Sequence, residues 1–366
     1  MIQPRNEITN TSAAHHGAPD YTELEILGIS PDELLDFSVN SNPFGPSPKV
    51  WKALKDVPFE RYPDRDSIAL RRLLSHRFNM HPNRILVGNG TSELIQMVCF
   101  AYLERGDKVM ALAHTFGEYQ RAASLMGARF VEFQTSAADG FQVAPSALEN
   151  ALAEKNPRIF FLCNPNNPTG TMLPADVITA LVKAFPQTLF AIDEAYMSFA
   201  ERDESVLSCR AENLLVLRSV TKDYALAGLR LGYAVGDTRV IEAIQRVRSA
   251  WNVNAMAQAA GLAAIGDEAY LQETMSQLHA AKLDFRRKLA SLGAELVPST
   301  VHYFLMKVGN AAACRSDLLR ERIQVRDCFS FDLPAHVRIA TKRPAENEKM
   351  IEVLQDVRQR RGELMF

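Results

Sequence analysis

With 366 residues, 47% hydrophobic and 23% charged, the chain is long enough for two domains, or one large domain with a smaller appendage, and it carries no biased tract that would argue for disorder or a fibre. Its 41 Lys and Arg against 43 Asp and Glu leave a formal charge of −2, so no global basic field draws nucleic acid or an anionic membrane, and a small molecule is the expected partner. The cysteines, Cys99, Cys163, Cys209, Cys314 and Cys328, are scattered without a C-x-x-C pair; no metal site is expected, and a reducing cytoplasm fits best.

The first residues, MIQPRNEITNTSAAHH, lack the apolar stretch of a signal peptide, and no later segment reaches the roughly 18 uninterrupted apolar residues of a membrane span. The polar HHGAPD at 15–20 and the proline-rich SNPFGPSPK at 41–49 predict an extended N-terminal arm over 1–45. From about Asn83 short apolar runs alternate with helical patterns: NRILVGNG then TSELIQMVCFAYL, DKVMALA then EYQRAASLMG, ARFVEFQ then SALENALAEK, and PRIFFLCNP then PADVITALVKAF. TLFAIDEAY, NLLVLRSV and LRLGYAVG continue the series. This rhythm predicts an α/β domain over 46–250, a mostly parallel sheet flanked by helices. After about Trp251 the pattern lengthens, notably in EAYLQETMSQLHAAKLDFRRKLASLG, and predicts a smaller α+β domain over 251–366 with strands in VHYFLMKV and HVRIAT and a terminal helix.

In such sheets a ligand lies beyond the carboxyl ends of the strands, and the residues that follow each apolar run here are polar or reactive. GNGTSEL at 88–94 is a glycine-rich turn opening a helix, whose first amides suit an anion; such turns are common. Neither G-x-G-x-x-G nor a P-loop lysine is present, which argues against a nucleotide site. NPNNPTG, ending at 170, is an Asn/Pro turn rich in amide donors, and Asp193 closes the apolar run of AIDEAYMSF, where a helix cap is the competing reading. In SVTKDYALAGLRLGY, at 219–233, Ser219, Lys222 and Arg230 bring together an amine, a hydroxyl and a fixed cation, the types required by a Schiff-base lysine serving an anionic cofactor.

That last string resembles the cofactor-lysine signature of the class I/II aminotransferases, enzymes of the pyridoxal-phosphate-dependent transferase fold type I. The resemblance implies pyridoxal 5′-phosphate as cofactor, Lys222 as the residue that carries it as a Schiff base, and Ser219 and Arg230 on its phosphate. It places Asp193 against the pyridine nitrogen, Tyr196 and Asn167 on the phenolic oxygen, Gly90, Thr91 and Ser92 in the phosphate turn, and Phe116 of HTFGEY on the ring. Tyr62 of RYPD resembles a tyrosine that reaches the phosphate from a neighbouring subunit, so a homodimer with shared active sites is implied.

Within the family, LGISPDELLDFSVNSNPFGPSP, ERYPD and AWNVNA are most similar to threonine-phosphate decarboxylases, with histidinol-phosphate aminotransferases next. A decarboxylase-like reaction on an amino acid or phosphorylated amino compound is therefore the leading expectation. Transamination of the histidinol-phosphate type, or elimination or cyclisation of a cationic or hydroxylated amino acid, stands as the alternative, and a non-catalytic binding protein as a remote one. Arg338 of HVRIAT is expected to hold a carboxylate and Arg326 of VRDC a distal phosphate, with a surface ion pair competing for both; Asn42 and the arm residues His16, Gly17 and Asp20 complete the expected substrate contacts. The decarboxylases usually open with H-G-G-N, whereas HHGAPD keeps His16 and Gly17 but brings Ala18, Pro19 and the negative charge of Asp20 to a place where a phosphate is expected.

Overall fold

The computed structural model describes residues 2–11 and 17–361. Its strands run in chain order as β1 (Leu35–Asp36), β2 (Ile85–Gly88), β3 (Lys108–Leu112), β4 (Arg129–Phe133), β5 (Ile159–Cys163) and β6 (Leu189–Asp193). They continue as β7 (Leu214–Ser219), β8 (Gly232–Gly236), β9 (Tyr303–Lys307), β10 (Ile323–Gln324), β11 (Arg326–Asp327) and β12 (His336–Ala340). The large sheet has seven strands in the order β2-β8-β7-β6-β5-β3-β4, parallel from β7 to β4, with β8 antiparallel to both neighbours. IFFLC of β5 and LFAID of β6 are buried along their whole length, as strands covered by helices on both faces must be. The segment between β7 and β8, which carries Lys222, has no crossover helix, so the chain folds back and β8 pairs antiparallel.

A three-stranded antiparallel sheet, β11-β12-β9, builds the second layer. The boundaries expected at 45 and 251 are both crossed by packing. β1 pairs with β10 in parallel, and Phe37 is buried among Phe285, Phe304 and Ile339, so the end of the arm belongs to the C-terminal layer. The helix Ala255–Ile265 instead packs on Leu70, Leu74 and Ile85, because its alanines and Gly261 allow close approach to the large domain. The helix Glu268–Ser291 bridges the two cores: Leu271, Met275 and Leu278 join the large one, Phe285 and Leu289 the small one. Within the described residues no helix is long and apolar enough to cross a membrane.

Candidate active site

A cavity of about 290 Å³ opens beyond the carboxyl ends of β5, β6 and β7, roofed by β11 and β12. At one end of it the helix Gly90–Tyr102 begins without a side-chain cap from Asn89, and the amides of a first helical turn have no intrahelical acceptor. Thr91, Ser92, Ser219 and Arg230 line the same cavity. Gly90 sits at φ +80°, and a Cβ there would lie 2.9 Å from the Arg230 guanidinium, so both conformation and space require glycine. Gly232 performs the matching task on β8, where a Cβ would stand 3.0 Å from the backbone of Gly90 and Thr91. The result is a cup of amides, hydroxyls and a guanidinium with the helix dipole behind it, which suits a phosphate.

Lys222 projects into this cavity from the loop after β7. Burial lowers its pKa to about 8, and the positive charges of Arg338 and Arg230 push it the same way. Its carbonyl accepts from the Asn42 amide at 2.9 Å, which pins the loop to the arm. Asp193 ends β6 at the cavity floor. Burial raises its pKa to about 6, against the hydrogen bonds donated by the Tyr119 hydroxyl at 2.8 Å and the Ala195 amide at 3.0 Å. A carboxylate so enclosed is suited to hold a proton shared with a cationic ring nitrogen. Phe116 and Tyr196 form walls; Tyr196 is buried edge-on to Tyr303 at 4.9 Å, and burial takes its phenol up to about 12.

The roof carries two guanidiniums. β11 and β12 pair Arg326 directly with Arg338, and both line the cavity. Like charges across a strand pair are unfavourable unless an anion is held with them. Arg338 donates to the Asn167 side chain and, at 2.5 Å, to the Ser38 carbonyl, while Arg326 donates to Ser330 at 2.6 Å and lies over the Phe331 ring. Gly17 packs onto this pair: a Cβ there would come within 3.3 Å of Arg338 and 2.9 Å of the Ser38 carbonyl.

Not every expected residue is gathered here. Asn42 is buried outside the cavity, where its amide donates to the Asp223 carbonyl and to Thr274, a structural tie rather than a substrate contact. Asp20 is exposed and caps the helix Tyr21–Leu27 by accepting from the Thr22 and Glu23 amides, so its charge serves the helix and does not line the cavity. Tyr62 is 80% exposed and stacks on Trp251 at 4.5 Å, away from the cavity of its own chain. His16 lies outside the described residues. Conversely, Tyr119, Ser38, Asn40, Thr221 and Phe331 belong to the site or its supports without having been singled out. Tyr119 lies in the first turn of the helix Glu118–Leu125, edge-on to Phe116 of the preceding loop at 5.7 Å.

These features define a pyridoxal-phosphate enzyme: an anion cup, a lysine depressed by burial and a buried carboxylate line one cavity, and the residues present fit that cofactor. The chain belongs to the aminotransferase class I and II family, whose description it matches over residues 32–354. It is 35% identical over 328 residues to the histidinol-phosphate aminotransferase of Symbiobacterium thermophilum, covering 88% of this chain and 90% of that one. It is 32% identical to that of Methylobacillus flagellatus, covering 90% of each. Among solved structures, the histidinol-phosphate aminotransferase of Sinorhizobium meliloti in complex with pyridoxal 5′-phosphate is similar in fold, with a TM-score of 0.88 at 23% identity over 98% of this chain and 99% of that one. L-threonine-O-3-phosphate decarboxylase of Porphyromonas gingivalis gives 0.77 at 26% identity over 89% of this chain and all of that one. The protein is therefore an enzyme of this family, dependent on pyridoxal 5′-phosphate.

Proposed function

We propose that this enzyme transaminates a small amino compound bearing a phosphate, in the manner of histidinol-phosphate aminotransferases. The observation that carries the substrate class is the directly opposed pair Arg326 and Arg338 in the cavity roof, two guanidiniums left to the substrate once Lys222 and Arg230 serve the cofactor, with Asp193 the one carboxylate among the described lining residues; transamination rests on the similarity to histidinol-phosphate aminotransferases. Such a lining favours anionic groups on the substrate and counts against a cationic amino acid. With the Asp20 charge spent on a helix cap, a phosphate meets no opposing carboxylate from that residue.

Thr91, Ser92, Ser219 and Arg230 would hold the cofactor's phosphate, Asp193 its ring nitrogen, and Tyr196 with Asn167 its phenolic oxygen. When bound, the cofactor supplies an electron sink for charge that develops at the substrate's α-carbon. Lys222 moves the proton at that carbon; with its pKa near 8 a useful fraction of the amine is neutral at physiological pH. Arg326 holds the distal phosphate, and Arg338, fixed by Asn167 and the Ser38 carbonyl, orients a carboxylate or a second anionic oxygen. Tyr62 with the exposed aromatics Trp51, Phe59 and Trp251 supports a homodimer in which Tyr62 completes the partner's phosphate cup.

A second reading, decarboxylation of a phosphorylated amino acid, is supported by the arm that packs Gly17 onto both roof arginines, since HHGAPD resembles the opening of the threonine-phosphate decarboxylases. Product analysis decides between them. Holoenzyme is supplied with histidinol phosphate plus 2-oxoglutarate, and separately with O-phosphothreonine, while glutamate, ammonia and carbon dioxide are followed. Glutamate formation without carbon dioxide is the expected result; carbon dioxide release from O-phosphothreonine would replace it with the second reading.

A further inference from the structure

His114 stands just beyond β3 at φ 54°, at the seam between the two layers. Its Nδ1 lies 2.6 Å from the carbonyl oxygen of Phe331. A carbonyl only accepts, so Nδ1 carries the hydrogen, and the bond forms whether the ring is neutral or charged. On the far side, the Phe329–Phe331 turn supplies two supports of Arg326: Ser330, whose hydroxyl accepts from the guanidinium at 2.6 Å, and the Phe331 ring beneath it at 5.4 Å. On the near side, the His114 carbonyl accepts from Asn166 at 3.0 Å, and Asn166 precedes Asn167, the partner of Arg338. Phe141 reinforces the seam: it is edge-on to the imidazole at 5.5 Å and is buried in the cluster formed by Leu305, Cys328 and Leu333. A single residue therefore ties the loop behind one roof arginine, through its imidazole, to the loop behind the other, through its backbone carbonyl.

We infer that His114 is a positioning residue that latches the Phe329–Phe331 turn across the domain seam, aims Arg326, and thereby sets the preference for substrates with a distal anion. The inference rests on the assignment of Arg326 to that anion. It differs from a space-filling role, because a ring without a donor would fill the same volume and leave the Phe331 carbonyl unbonded.

The test compares His114→Asn with His114→Phe in the holoenzyme. Asparagine offers a donor near the place of Nδ1 and tolerates positive φ; phenylalanine keeps the ring and loses the donor. Histidinol phosphate and O-phosphothreonine, each beside its dephosphorylated counterpart, give the ratio of kcat/KM with and without the anion. Amide hydrogen exchange at 331–333, where the Phe331, Asp332 and Leu333 amides close the turn, reports the latch without activity. His114→Phe should cut the ratio about tenfold, mostly through KM, and speed exchange in the turn, while His114→Asn keeps both within about twofold. An unchanged ratio with unchanged protection in His114→Phe, or equal losses in both variants, overturns the inference. Arg326→Gln is run in parallel: if it collapses the ratio and His114→Phe does not, the latch alone is wrong, and if it leaves the ratio intact, the anion assignment falls and the inference with it. Should His114→Phe not fold, His114→Leu keeps much of the side-chain volume without a donor and takes its place.

Discussion

Burial displaces Lys222 and Asp193 in opposite directions, because it penalises whichever form is charged. For Lys222 the neutral amine is the nucleophile, so capture of added cofactor by the apoprotein should accelerate with pH about a midpoint near 8, far below the range of an ordinary lysine. Arg338→Met removes one of the charges that assist burial, and should move that midpoint upward; an unchanged midpoint would mean Arg338 adds nothing to burial. Lys222→Ala should leave no covalent capture at all. For Asp193 the Tyr119 hydroxyl works against burial, since its hydrogen bond favours the carboxylate. A hydrogen bond to a charged group contributes about 1.5–3 kcal/mol, so Tyr119→Phe should lower kcat by about tenfold or more, with a smaller change in cofactor affinity. Weaker cofactor affinity with kcat unchanged at saturating cofactor would place Tyr119 in binding alone. The places of Lys222 and Asp193 at strand ends were legible in the apolar runs, but a solvated lysine and a helix cap fitted those places as well, and only the resemblance to the family proposed their roles. Tyr119 was not legible, because its partner lies 74 residues away and only the fold joins them.

At the scale of elements, the alternation of apolar runs and helical patterns was enough to mark the strands of the large sheet and to place the chemistry at their carboxyl ends. It did not foretell that β8 runs antiparallel, that β1 joins the C-terminal layer, or that the helix after Trp251 packs back on the large domain. Each of these depends on which surface an element buries, which periodicity within the element does not encode. Asn42 illustrates the same point: an Asn in a proline-rich arm reads as a ligand contact, and proves to be the tie between the Lys222 loop and the helix Glu268–Ser291. Backbone-to-backbone contact between β8 and the helix start yields a direct prediction. In Gly232→Ala the new methyl meets the backbone of Gly90 and Thr91 at 3.0 Å, neither of which can swing aside as a side chain would. The first helical turn must shift, so affinity for the cofactor should fall by about tenfold or more, while circular dichroism shows the fold retained. Retention of affinity would show that the cup tolerates a displaced turn.

At the scale of the whole molecule, Trp51, Phe59, Tyr62 and Trp251 are exposed to solvent, and the proposed homodimer would give such aromatic side chains a cover. Tyr62 stacks on Trp251 and does not enter the cavity of its own chain, which is compatible with the proposed service to a partner's site. Isologous pairing by a two-fold axis would then give each cavity a Lys222 from one subunit and a Tyr62 from the other. Hybrid dimers test this. A Lys222→Ala chain and a Tyr62→Ala chain are each assayed alone to establish their residual activity, then mixed in equal amounts under conditions where mass spectrometry verifies subunit exchange. In a hybrid, one site combines both lesions and the other has neither. Since half the dimers are hybrids after random exchange, about a quarter of the unmutated activity should return, well above either parent. Activity that stays at the parental level, with exchange verified and Tyr62→Ala strongly impaired on its own, would mean that each site is completed within one chain and that the Tyr62–Trp251 stack serves the fold instead.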